Sequence, residues 1–248
     1  MNKILIDKKI ICNSSDVLVE GNKITFLKSG NYEIEYNSDG DYELTFIINN
    51  DVNILESSFD KNIKINNHYI VNKGNLVINK FYNNHCVKEV INIDLCSEES
   101  TVDYKFSNIC KECEDYTINI NHLVPKTKSN INNKSVALEN SKLKFVINSN
   151  VLKDSVKSVL NQNTRIVTMG ESDASISPNM FIDLDDVEAK HGSVIGTFKE
   201  EDIFYLMSKG ISYKDTLKLL IKGYLLSNMI SNHEIRKKIM DIIDMYWR

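Results

Sequence analysis

Up to about Thr197 the chain consists of short runs rich in β-branched and aromatic residues, each ended by a turn signal. Beyond that point apolar residues recur at helical spacing instead. A strand pattern repeats about every 2 residues and a helix pattern about every 3.6, so the chain must join an all-β region to a helical one. The β runs fall at residues 17–19, 23–26, 32–36, 42–48, 69–71, 75–78 and 90–95. Between them stand Glu20-Gly21-Asn22, Ser29-Gly30-Asn31, Ser38-Asp39-Gly40 and Lys73-Gly74-Asn75, composed of residues that tolerate tight turns. In Tyr32-Glu33-Ile34-Glu35-Tyr36 the apolar side chains share one face and both glutamates the other. The two prolines, Pro125 and Pro178, are expected in breaks between strands.

Two all-β architectures fit this pattern. A sandwich needs hairpins, and Asp39-Gly40 is the one good two-residue hairpin signal. A solenoid stacks short strands into rungs and tolerates irregular corners, but no fixed repeat is visible. After Thr197, residues 199–209 place Ile203, Phe204, Leu206 and Met207 on one side, with Gly210 as the stop. Ser212 with Asp215 three residues later opens the next helix, where Leu217, Leu220, Ile221, Tyr224 and Leu225 form the apolar face. Ser231 or Asn232 caps a last helix carrying Ile235, Ile239, Ile242, Ile243 and Tyr246. The expected division is a β core over 1–198 and a helical subdomain over 199–248.

A net charge of -4 with both signs interspersed argues against a nucleic-acid binder. No apolar run is long enough for a membrane span or a secretory leader, and five cysteines without a leader point to reduced thiols in a cytoplasm. Enzyme signatures are absent: no phosphate-binding loop, no dinucleotide fingerprint, no H-E-x-x-H, no G-x-S-x-G. The carboxylates Asp183, Asp185 and Asp186 read as a solvated strand end, and no catalysis is expected.

The junction reads Asp185-Asp186-Val187-Glu188-Ala189-Lys190-His191-Gly192-Ser193-Val194-Ile195-Gly196, followed by Phe204-Tyr205-Leu206-Met207-Ser208-Lys209-Gly210-Ile211. These two elements, in this order, resemble the D-V-x-x-x-H-G-(A/S)-x-x-G and (L/I)-F-Y-L-x-S-(R/K)-G-I elements of the SufB/SufD family of iron–sulfur cluster assembly proteins. The run from Asn121-His122 to Thr127-Lys128-Ser129 is similar to an H-x-x-x-x-T-x-S element of the same family, read here as a structural corner. The resemblance covers roughly residues 120–230. It implies a mainly β fold: a right-handed β-helix (solenoid) core with a C-terminal α-helical subdomain. Longer members carry an N-terminal helical region, which is expected to be missing here because strands begin almost at Met1.

The resemblance also implies sites. Imidazole ligates iron or zinc and relays protons near neutral pH. A single histidine at a strand end is more often structural, but in the family this position lies where two scaffold subunits meet and the nascent cluster forms, which makes His191 a candidate ligand. Lys190-His191-Gly192-Ser193 is SufD-like. SufB-type chains carry a cysteine where this chain has Ser177, so cluster thiolates must come from elsewhere. Cys110 and Cys113, the one C-x-x-C, supply half a tetrahedral site; the plainer reading is two loop thiols. Cys96, Cys86 with His85, or His122 complete that site only if the fold gathers them.

The implied partners are a SufC-like ABC-type ATPase and a dimer mate, either a second copy or a SufB-like chain. A cysteine desulfurase or sulfur carrier would supply sulfur. The ATPase would dock on the helical tail through Phe204, Tyr205, Tyr213, Leu217, Ile221 and Tyr224. A transient iron–sulfur cluster is then the cargo, no nucleotide is bound by this chain, and neither nucleic acid nor membrane is a partner. The rivals are a metal-free adaptor for the ATPase and a β-solenoid protein that binds or cleaves polysaccharide. Removing residues 200–248 is expected to leave the β core soluble.

Overall fold

In a computed structural model, which describes residues 2–229 and 233–247, the chain forms seventeen strands and three helices. The strands begin with β1 (Asn2–Ile6), β2 (Ile10–Cys12), β3 (Val17–Glu20), β4 (Lys23–Phe26), β5 (Gly30–Tyr36) and β6 (Gly40–Ile48). They continue with β7 (Val52–Phe59), β8 (Asn62–Val71), β9 (Asn75–Asn83), β10 (Cys86–Leu95), β11 (Thr101–Cys110) and β12 (Cys113–His122). The last are β13 (Lys128–Ala137), β14 (Lys142–Val151), β15 (Ser158–Thr168), β16 (Asp173–Ile182) and β17 (Val187–Gly196). The helices are α1 (Glu200–Ser208), α2 (Tyr213–Leu226) and α3 (His233–Tyr246).

From β5 onward odd strands stack in one parallel sheet and even strands in a second, so each pair makes one turn of a β-solenoid. Alternation carries this: in each rung every second residue points into the core, and it meets the same inward position of the rung below in register. Aromatic stacks such as Phe46 on Tyr69, 4.5 Å between ring centres, and Tyr116 on Phe145, 5.1 Å, fill the interior. The rungs are not equal. Neighbouring asparagines are 22 residues apart in sequence at Asn31–Asn53 and 31 apart at Asn148–Asn179, which is why no period is visible in the sequence.

Asp39-Gly40 does not close a hairpin: it turns the corner from β5 in one sheet to β6 in the other, with Asp39 Oδ1 accepting from the Asn62 N–H. Gly74 sits at a corner where φ is +86°, and a Cβ there would lie 2.7 Å from the Asn50 carbonyl carbon, so this corner requires glycine. The true hairpins are β1–β2 and β3–β4, both at the N-terminal end. They close that end with edge strands of three and four residues, a usual way of blunting a sheet edge. Pro125 lies between strands as expected, but Pro178 lies inside β16, paired with Ile147. Proline is tolerated there because β16 is an edge strand.

The helices lie along the outer face of the odd-strand sheet. Leu55, Phe81, Ile109, Val136 and Val167 of that face form one buried cluster with Leu217, Ile221 and Leu225 of α2 and Ile235, Ile239 and Ile243 of α3. Asn228 adds side-chain hydrogen bonds to the Phe106 and Asn132 carbonyls, at 3.0 and 2.8 Å. Ser212 caps α2, its Oγ accepting from the Asp215 N–H at 3.1 Å; the expected cap at Ser231 or Asn232 lies outside the described residues. Because the tail covers a continuous apolar strip, its removal would uncover that strip. Loss of residues 200–248 is therefore expected to cost the core solubility. Among the described residues no helix is long and apolar enough to cross a membrane.

Candidate functional site

The two ends of the solenoid differ. Among the described residues the C-terminal end has no blunting hairpin, and β16 and β17 present ten-residue edges. β17 pairs in register with β15, so the inward positions Leu160, Gln162, Thr164 and Ile166 continue as Ala189, His191, Ser193 and Ile195. In β15 these positions are buried; in β17 they are exposed, because no rung covers them. His191 thus occupies a core-facing register position on an open core. Phe181, Val194 and Ile195 stand exposed at the same end, at 58%, 53% and 45%. Below His191, Gln162 donates to Ser149 Oγ and the Asn179 carbonyl, at 2.8 and 3.1 Å. Its own Oε1 has no partner among the described residues. Pro178 removes one backbone donor from the β16 edge, and no proline interrupts β17.

The C-x-x-C is divided by its corner. Cys110 ends β11 facing inward, fully buried, its thiol donating to the Lys142 carbonyl at 3.4 Å, and burial pushes that thiol well up. Cys113 opens β12 on the outside and is exposed. The fold places Cys86, not Cys110, directly beside Cys113, as the paired first residues of β10 and β12. The sequence gives no sign of this pairing, because it depends on the length of one irregular turn. His191 is three strand spacings and six register positions from Cys110, on the order of 20 Å or more by strand geometry, so the two cannot share one ion within this chain. Among the described residues no three His, Cys, Asp or Glu side chains gather closely enough to hold a metal ion.

His122 is fully buried. Its ring nitrogens contact Thr127 Oγ1 and Ser129 Oγ at 2.7 and 2.9 Å, and burial holds its pKa down at about 4. The H-x-x-x-x-T-x-S residues therefore satisfy one another at a solenoid corner. On the tail, Phe204, Tyr205 and Tyr213 are exposed at 75%, 61% and 55%. Leu217 and Ile221 are buried against the sheet, and the docking role expected of them is corrected to a core role. Tyr224 is partly buried, its hydroxyl donating to the Arg165 carbonyl at 2.5 Å. Met207, placed by the sequence pattern on the apolar side of the first helix, is exposed at 43%, and Leu219 at 50% adds further apolar surface.

A solenoid with one capped end, one open end and a helical layer on one face defines the class: a β-solenoid protein with a C-terminal helical layer. The chain belongs to the family described as SUF system FeS cluster assembly, SufBD core domain, whose family profile matches residues 52–224. It is 26% identical over 118 residues to the iron-sulfur cluster assembly protein SufD of Bacillus subtilis, covering 40% of this chain and 27% of that protein. It is 26% identical over 106 residues to SufB of the same organism, covering 42% and 23%. A SufBD family protein of Pyrococcus horikoshii is 40% identical over 47 residues, covering 19% and 10%. The matches thus span about a quarter or less of the relatives' length.

Proposed function

We propose that this chain is a non-catalytic scaffold component of iron–sulfur cluster assembly. Its open solenoid end pairs with a second scaffold chain, a copy of itself or a SufB-like protein, and its tail docks an ABC-type ATPase. The observation that carries this reading is the open C-terminal end, where His191 and Ile195 occupy inward register positions that a further rung would cover. Pairing of β17 with another edge supplies that cover. The cluster is cargo at the junction: His191 offers an imidazole, and the partner offers the thiolates, since Cys110 and Cys113 stand away from it. Ile195→Asp is expected to weaken self-association or pairing with a SufB-like chain by about tenfold or more, since it would bury a charge in the interface. Light scattering checks this, and unchanged association sinks the pairing. His191→Ala is expected to leave assembly intact while lowering anaerobic cluster reconstitution; normal reconstitution would favour the metal-free adaptor.

The ATPase reading rests on the exposed Phe204, Tyr205 and Tyr213, aromatic side chains of the kind that anchor interfaces. Phe204→Asp with Tyr205→Asp removes two of them without touching the buried cluster under α2 and α3. The double variant is expected to keep the parent's melting temperature while losing co-purification with the ATPase. Retained binding would move the docking surface off α1.

A further inference from the structure

We propose that Cys86 and Cys113 form a redox-modifiable dithiol pair on the outer corner between β10 and β12, closing to a disulfide by exchange with a small disulfide. All five cysteines are free thiols in the structure. Cys86 and Cys113 are register partners on adjacent parallel strands, which lie about 4.8 Å apart. That spacing falls within the roughly 4.4–6.8 Å between Cα atoms that a disulfide spans. Both side chains project from the same outer face, because the next residues, Val87 and Glu114, are buried in the core. Both also open their strands at the corner.

The second observation is the direction of the Cys86 thiol. It reaches toward the neighbouring rung and donates to Glu112 Oε2 at 3.9 Å, one residue from Cys113. Glu112 is held there by His85, with Nδ1 2.8 Å from Oε1, and the Cys113 N–H donates to the His85 carbonyl at 3.4 Å. The corner therefore aims one thiol at the strand that carries the other. Burial first, then the charges of Glu112 and Cys113, push the Cys86 thiol up, so it is the weaker starting nucleophile. Cys113, exposed, makes the first attack.

The exchange balances. The Cys113 thiolate attacks one sulfur of a small disulfide, expelling one thiol and leaving a mixed disulfide on Cys113. Cys86 then loses its proton, attacks the Cys113 sulfur and expels the second thiol. Two protein thiols are oxidised and one small disulfide is reduced to two thiols. The link joins adjacent rungs. It does not depend on the assembly role proposed above.

Peptide mapping tests this directly. The full chain is treated with oxidised glutathione, remaining thiols are blocked with N-ethylmaleimide in denaturant, and the protein is cut with trypsin. Cleavage separates the thiols: Cys86 falls in residues 81–88, Cys110 in 106–111 and Cys113 in 112–126. The expected product is 81–88 joined to 112–126, lost on adding dithiothreitol. In Cys86→Ser, Cys113 should remain as a glutathione adduct. Two results in the full chain would overturn the proposal: a 106–111 to 112–126 link, or a lasting glutathione adduct on Cys113 beside an alkylated Cys86.

Discussion

Replacing Lys80 with methionine is expected to destabilise the solenoid by about 3–5 kcal/mol near neutral pH, the range seen when one partner of a buried ion pair is removed. Lys80 is fully buried at an inward position of β9, between two carboxylates. Its ammonium lies 3.0 Å from Glu56, its register partner on β7, and in contact with Glu89 across the core on β10. The rings of Tyr82 and Phe106 lie 4.2 and 5.2 Å from the same nitrogen. Tyr82 and Tyr69 donate to Glu56 at 2.5 and 3.2 Å. Methionine fills the space but leaves two carboxylates in the core without a cation.

The pH dependence of that loss has a definite sign. Burial holds Glu89 up at about 7 even with Lys80 beside it, and the ammonium is what opposes the shift. Without it the folded state keeps protons that the unfolded chain releases near pH 4.5. The loss should therefore be smallest at about pH 5 and grow toward about pH 8. Urea unfolding at both values checks this. A loss under about 1 kcal/mol at the higher pH would mean that the cluster is not an ion pair of consequence.

Legibility in the sequence followed the range of the interaction. The early strands at 23–26, 32–36 and 42–48 could be read because alternation is local, and the turn to helix after Thr197 because its period is local too. The stacking was not legible. Rung offsets between 22 and 31 residues leave no period, and Asp39-Gly40 looks like a hairpin until its flanking strands are found in different sheets. Part of the repeat is written in the corners. Glu99, Lys126 and Asn140 take positive φ, and each precedes a hydroxyl residue that donates back three positions: Ser100 to Ser97, Thr127 to Val124, Ser141 to Leu138. The site divided in the same way. His191 could be singled out from its local motif, whereas the separation of Cys110 from Cys113 and the burial of Leu217 and Ile221 depend on what lies across a corner or beneath a helix.

Glu114→Gln is expected to stabilise the protein against alkaline pH, the opposite of the Lys80 variant, because among the described residues this buried carboxyl has no cation within hydrogen-bonding distance. Glu114 points inward from β12 and accepts from Asn108 Nδ2 and, at 2.8 Å, from the Tyr116 hydroxyl. Its Oε1 has no partner among the described residues. Burial raises its pKa to about 8, against 4.5 for an ordinary exposed glutamate. Below pH 4.5 both folded and unfolded states hold the proton, and the full contribution of the neutral group is present. Between 4.5 and about 8 only the folded state holds it, so stability falls with each step in pH and levels off above that window. Over that window the loss is on the order of 5 kcal/mol, at about 1.4 kcal/mol per pH unit. Glutamine keeps the acceptor oxygen and cannot ionise, so the variant loses this slope. His122, held at about 4, acts in the opposite sense below pH 6.5, and Glu89 adds its own fall toward about pH 7, but both are common to parent and variant. The difference between the two proteins therefore isolates Glu114. Chemical unfolding at about pH 5 and about pH 9 should show a difference that moves in favour of the variant by about 3–5 kcal/mol. A difference that stays constant would mean that Glu114 is already ionised in the folded core.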